Sequence, residues 1–249
     1  MSVLEALGIA GAGLAAGTVN TVVGSGSLIT FPTLLAFGYP AVLANVSNTV
    51  GLVPGSASGV LAYRPELAGQ GRRLVVLMVA AGLGAVAGAA LLLLLPHDTF
   101  RRVVPALILL AVVLVALQPW LQRRLAAHAD RRPHGGGWLF TLIALISVYG
   151  GYFGAAQSVI YMALLGSFLR DDLQRLNAAK NALALTNGVM AALVFVAFTH
   201  VSWSAAGLLA AGAVVGGQLG GFLGRRLRPT LLRLAIIAVG IVAAVVLLV

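Results

Sequence analysis

Apolar residues occupy the chain in eight stretches, near 3–38, 41–63, 74–95, 101–121, 138–168, 176–199, 203–224 and 230–249, each closed by glycine, proline or charge. Crossing about 30 Å of hydrocarbon takes roughly 20 helical residues, so the pattern predicts an all-α fold: a polytopic bundle of transmembrane helices. The single long hydrophilic run, QPWLQRRLAAHADRRPHGGG at 118–137, divides the stretches four and four. The predicted organisation is a first transmembrane repeat over 1–121, a basic linker over 122–137 and a second transmembrane repeat over 138–249.

The halves resemble each other in order. Each opens on a glycine-interrupted segment, GSGSLITFPTLLAFG and GAAQSVIYMALLG, and continues with an asparagine-bearing one, LANVSNTVGLVPG and RLNAAKNALALTNG. The third segments share a glycine pair, Gly84/Gly88 and Gly212/Gly216, and the fourth open with TFRRV and TLLRL.

Composition removes the soluble classes. Sixty per cent of the 249 residues are apolar and 9% are charged, and the mean hydropathy is +1.03, which no globule with a polar surface reaches. Thirty-one glycines suit close helix packing in lipid. The formal charge of +10 comes from arginines paired between apolar segments, a pattern of topology anchors that gives no call for a nucleic-acid partner. The opening MSVLEALGIAG carries an acid and no basic n-region, so the first segment is expected to stay in the protein. The sequence leaves room for a homo-oligomer.

Arginine placement discriminates between topologies, since Lys and Arg favour cytoplasmic loops. If every segment crosses once, the loop arginines divide seven against seven; if segments one and five return to the side they entered from, the division is twelve against two, with Arg101 and Arg102 alone opposite. The second arrangement makes the halves inverted repeats with broken or re-entrant first segments, and puts the linker in the cytoplasm and both chain ends outside. The arm after Gly24–Gly26 is about a dozen residues, near 18 Å, too short to cross fully.

The polar residues inside apolar stretches are the candidate site. Helix breaks are expected at Gly24 and Gly26 and at Gly151 and Gly154, and their freed N–H groups, with Ser25, Ser27, Gln157 and Ser158, would favour an anion; the alternative is that these glycines serve packing alone. Asn45, Asn48, Gly55, Ser56 and Gly59 fall in a wedge of about 120° at 100° per residue, matched by Asn177, Lys180, Asn181, Asn187 and Gly188. Such faces turn toward each other or toward a substrate. Lys180 either neutralises a bound anion or snorkels to the interface. Pro32 and Pro54 read as kinks.

The six acids, Glu5, Glu66, Asp98, Asp130, Asp171 and Asp172, lie at segment ends or in loops, which leaves no mid-membrane carboxylate for coupling. The four histidines form no metal-ligand pattern, there is no cysteine, and no phosphate-binding glycine loop is present, so no metal, cofactor or nucleotide is called for and no catalytic residue is assigned. A hydrolase using Ser25 or Ser27 would need a histidine base, and His200 stands at a segment end. A non-transporting scaffold subunit is the other alternative.

With these blocks in hand, the chain resembles the TauE/SafE family of bacterial membrane proteins, the sulfite exporters. The likeness runs through GSGSLITFPTLLAFG, LANVSNTVGLVPGSASGVLAY, their second-half counterparts and GAVVGGQLGGFLGRRL. It implies export of small sulfur-containing or related anions, such as sulfite, sulfoacetate or thiosulfate, across the cytoplasmic (inner) membrane, with a small anion and the lipid bilayer as partners. The chain departs from the family pattern where Ser25 and Ser27 interrupt the glycines, and where Ala155, Ala156, Gln157 and Met162 stand in the second half.

Overall fold

A computed structural model describes residues 1–127 and 136–223 and positions 234, 237, 238 and 241. The centre of the linker, with His128, Asp130, Arg131, Arg132 and His134, lies outside the described residues. So do Arg225, Arg226, Arg228, Arg233 and most of the eighth stretch.

The described chain is helical throughout: α1 (Val3–Val22), α2 (Ser27–Ala36), α3 (Ala41–Ala62), the single turn α4 (Arg64–Leu67), α5 (Gly71–Leu94), α6 (His97–Ala127), α7 (Gly136–Tyr152), α8 (Gln157–Phe168), α9 (Leu173–Phe198) and α10 (Trp203–Leu223). Five of these, α1, α5, α6, α9 and α10, are long and apolar enough to cross a bilayer. The first and fifth stretches are each broken in two, into α1 with α2 and α7 with α8. Ten and twelve residues make the second arms, about 15 and 18 Å long and too short for a full crossing. The helices α2 and α3 continue through Pro32 and Pro54.

Local signals set the ends. Ser2 and Glu5 form a reciprocal capping box at the start of α1, Glu5 N–H donating to Ser2 Oγ at 3.1 Å and Ser2 N–H to Glu5 Oε2 at 3.2 Å. Asp172 caps α9 by accepting from Gln174 N–H at 2.9 Å.

Glycine determines which helices touch. A methyl at Gly212 or Gly216 of α10 would overlap the backbone of α1 around Ala10 and Leu14, and one at Gly84 or Gly88 of α5 would overlap α7 around Ala144 and Val148. Thus the first helix of each half packs on a helix of the other half, through the glycine pair that the halves share. Without a hydrophobic drive between helices in lipid, such backbone contact is what dispersion can use.

These contacts also fix directions. The residues Gly17, Gly55 and Ala213 meet at one level and Gly13 and Gly51 meet Leu209 at another, so α1, α3 and α10 run the same way. Beside them α5, α7 and α9 run the opposite way: Gly84 and Gly88 meet Ala144 and Val148, while Arg73 reaches Asp171 and Gly82 faces Thr186 and Met190. Each short arm returns toward its starting side. Tyr39, just past α2, bonds Glu5 at the start of α1, and Leu165 near the end of α8 shares an apolar cluster with Leu139 near the start of α7.

Among the described residues two large apolar clusters, and a small one of Ala16, Leu52 and Ala213, fill the interior. One gathers Phe31, Phe100, Ile108 and Phe153, with Phe31 and Phe153 edge to face at 5.3 Å; the other gathers Leu77, Ile143, Tyr161 and Leu183. Leu83, Leu94, Leu193 and Phe198 are exposed, as lipid-facing residues are, and Trp138 and Trp203 stand exposed at helix starts, where interfacial aromatics sit.

Candidate functional site

Both breaks use one backbone device. In the first, Val23 N–H and Gly24 N–H both donate to Val19 O, at 2.7 and 3.0 Å; in the second, Phe153 N–H and Gly154 N–H both donate to Tyr149 O, at 3.0 and 3.2 Å. Gly24 and Gly154 then turn the chain at φ 94° and 77°, left-handed values that suit glycine. Gly26 is helical at φ −58°, and its missing side chain serves contact instead, since a Cβ there would come within 2.5 Å of Ala16 O. Gly151 lies inside α7, packed on Ala85 of α5, so the second break falls at residues 153–156. Sequence reading missed Ala156, which takes φ 62° before α8.

Neither α2 nor α8 has a side-chain N-cap, and the first residue of each, Ser27 and Gln157, borders one cavity between the halves. Its empty space, counted together with space open to solvent, is about 480 Å³, and its polar lining includes Asn20, Thr49, Ser56, Ser158 and Asn187. No charged side chain among the described residues lines it. A smaller cavity of about 210 Å³ shares Asn20, Ser56 and Ala184 with it and extends to Thr21 and Asn181. The starts of α2 and α8, each carrying roughly half a positive charge, meet here beside the ends of α1 and α7, at Asn20 and Gly150, which carry the opposite sign.

The remaining predicted residues stand behind this wall and hold the ends of the broken helices. Asn177 Nδ2, Asn181 Nδ2 and Lys180 Nζ all donate to Thr21 O at the end of α1, at 3.4, 3.3 and 3.3 Å, and Lys180 Nζ also reaches Asn20 O at 3.4 Å. Lys180 is 1% exposed; it does not snorkel. From α3, Asn45 Nδ2 donates to Tyr152 O at the end of α7 at 3.0 Å, and Asn48 Oδ1 accepts from Thr30 of α2. Asn187 Nδ2 donates to Ser147 O at 2.9 Å. Ser25 Oγ, Asn45 Oδ1 and Gln157 Oε1 are buried without a hydrogen-bond partner, a deficit that proteins rarely leave unfilled.

The structure thus brings Ser27, Gln157, Ser158, Asn181 and Asn187 to cavity walls and puts Asn45, Asn48, Asn177 and Lys180 on helix ends or neighbouring side chains. Asn20, Thr30 and Thr49 were missed. An asparagine four residues before a break glycine in an apolar run was the available signal for Asn20.

Known proteins give the same picture a name. The sequence profile of the family described as "Sulfite exporter TauE/SafE" matches residues 9–247. The chain belongs to that family. Among its relatives, "Probable membrane transporter protein ORF9" of Sinorhizobium sp is 28% identical over 82% of this chain and 77% of its own length. "Probable membrane transporter protein YfcA" of Escherichia coli K12 is 26% identical over 82% and 75%. A "Probable membrane transporter protein" of Haemophilus influenzae is 24% identical over 89% and 86%. No solved structure matches the chain. This TauE/SafE protein is therefore an integral membrane protein of a transporter family, and its polar cavity lies between the two halves that the family profile covers.

Proposed function

We propose that the chain carries small anions, sulfite or a related organosulfur or oxyanion, across the cytoplasmic membrane, in the export direction that the family's description names. One observation carries the reading: two helix N-termini without side-chain caps, at Ser27 and Gln157, border one cavity that no carboxylate among the described residues lines. N–H groups and hydroxyls at a helix start stabilise negative charge, and they do so more strongly away from water.

The halves are proposed to be inverted repeats, with the linker and Arg64, Arg72, Arg73, Arg170 and Arg175 on the cytoplasmic side. Supporting this, corresponding helices run in opposite directions, and the direct bonds of Arg73 to Asp171 and Arg175 to Ala68 O gather these arginines at one face. Broken helices meeting at the middle of an inverted pair is a transporter plan.

The test is flux in liposomes. Purified chain should move sulfite, thiosulfate or a sulfonate, and Ser27→Asp or Gln157→Glu, each of which puts a carboxylate at a helix start, should lower that flux at least tenfold, the effect of about 1.4 kcal/mol. Unchanged flux in both variants removes the cavity from the path.

A further inference from the structure

Fifteen of the sixteen basic residues are arginine, and the one lysine of the chain is Lys180. It is also the one charged side chain among the described residues that is buried. Arginine stays charged in any surroundings, whereas a lysine can give up its proton. The buried basic residue is thus the one able to become neutral.

Among the described residues, its surroundings supply no compensating acid. Both Lys180 bonds run to main-chain carbonyls, Asn20 O and Thr21 O. Of the elements around α9, α3 and α10 contain no titratable side chain, α1 has Glu5 in its first turn, and α5 has Arg72 and Arg73 in its own. The turn α4 brings Arg64 and Glu66 at the cytoplasmic-side loop, and α7 and α8 bring only Tyr149, Tyr152 and Tyr161. Asp171 is held by Arg73 and Arg175, and Asp172 caps α9 itself. On α9 the other charged residue is Arg175, bonded to Asp171 and Ala68 O.

A buried charge is tolerated when it is paired. The carbonyls on Lys180 belong to Asn20 and Thr21, and these two residues also border the cavities. An anion in the cavity therefore lies just across the end of α1 from the ammonium. For a monoanion, two arrangements leave the core without net charge: an empty cavity with a neutral amine, and an occupied cavity with a protonated one. Each ligand favours the other by the same factor, as linkage requires.

Resting on the anion reading above, we infer that Lys180 is the coupling-proton site, so that an anion and a proton cross together. On loading, the amine takes a proton from water at the open side; on release it returns the proton to water at the other. Nothing else changes oxidation state or bonding. Net direction follows the combined gradients.

A single lysine makes the test direct. Full-length chain labelled with carbon-13 lysine in lipid nanodiscs gives one Cε resonance. It should move between its uncharged and charged positions as pH is lowered, and thiosulfate or methanesulfonate should move it toward the charged position at fixed pH. A resonance that never titrates overturns the proton site whether or not any anion binds. One that titrates identically with and without those anions overturns the coupling. In liposomes with a trapped pH dye, entry of an anion that the wild type moves should acidify the lumen, and Lys180→Arg should lose the acidification. Entry without acidification in the wild type, or acidification kept by the arginine variant, also overturns it. Failure of the anion reading has a separate sign: no tested anion is moved at all, while the lysine resonance still reports on its proton.

Discussion

The ends of α1 and α7 are the same backbone turn held by different chemistry. Each closes with two N–H groups on one carbonyl, Val19 O or Tyr149 O, and turns on a left-handed glycine. Each end is then met by a helix of the opposite half: α9 brings Asn177, Lys180 and Asn181 to Thr21 O, and α3 brings Asn45 to Tyr152 O. Asn45 and Asn48 stand three apart on α3, as Asn177 and Lys180 do on α9. One position of the pattern is an amide in one half and an ammonium in the other. The backbone device is thus shared, and what differs is the set of donors that meets it: one amide at the end of α7, two amides and an amine at the end of α1.

The largest expected difference comes from the turns themselves. Gly24 is at φ 94° and its missing side chain faces Ser158 so closely that a Cβ would overlap it, while a Cβ at Gly154, at φ 77°, would lie 2.9 Å from Gly150 O. Gly24→Ala combines backbone strain with overpacking and should cost on the order of 3 kcal/mol. Gly154→Ala should cost about 1–2 kcal/mol, mainly strain. Thermal unfolding of the two variants in the same nanodiscs measures this, and equal losses would mean that the close approach at Gly24 relaxes freely.

Next is the redundancy of the caps. Tyr152 O has Asn45 as its side-chain donor, so Asn45→Ala should leave a buried carbonyl short and cost about 1–2 kcal/mol. Thr21 O keeps Lys180 and Asn181 when Asn177 is removed. Asn177→Ala should therefore cost about half as much or less. A reversed order in unfolding measurements would show that the three donors on α1 act as a unit in which none substitutes for another.

How much of this could be read from the chain depends on the range of each interaction. The helical segments and the split of the first and fifth stretches follow from local hydropathy and from glycines in apolar runs, and Gly24 and Gly154 sit where those signals point. The polar wedge on α9 was legible too, because its period is a property of one helix. Its targets were not: Asn177 and Lys180 meet carbonyls about 160 residues earlier in the chain, and no local pattern announces which carbonyl a helix will leave free. Ala156 was invisible for a different reason, since alanine at φ 62° is imposed by the surrounding packing and not by its own preference. Lys180 could have stood at the interface or in the core, and only the placement of α1 beside α9 decides between them.

The smallest expected effect concerns how each short arm is tied down once it has returned. After α2, Tyr39 donates its hydroxyl to Glu5 at 3.1 Å; after α8, Asp171 accepts from Arg73 and Arg175, both at 2.7 Å. Burial pulls the Asp171 carboxyl upward, but the hydrogen bonds from Arg73 and Arg175 outweigh it and hold the group below its ordinary value. The Tyr39 phenol is raised, by burial first and then by its bond to Glu5. The signs are opposite. A carboxyl held low adds stability above its unfolded value and loses it as pH falls through its folded one; a phenol held high adds stability below its unfolded value and loses it as pH rises through its folded one. Acid should therefore loosen the second arm and alkali the first. Unfolding followed across pH should show an acid limb that flattens in Asp171→Asn and an alkaline limb that flattens in Tyr39→Phe. An acid limb that persists unchanged in Asp171→Asn would move that role to another carboxylate, and the two arms would then not be tied by the groups that the geometry selects.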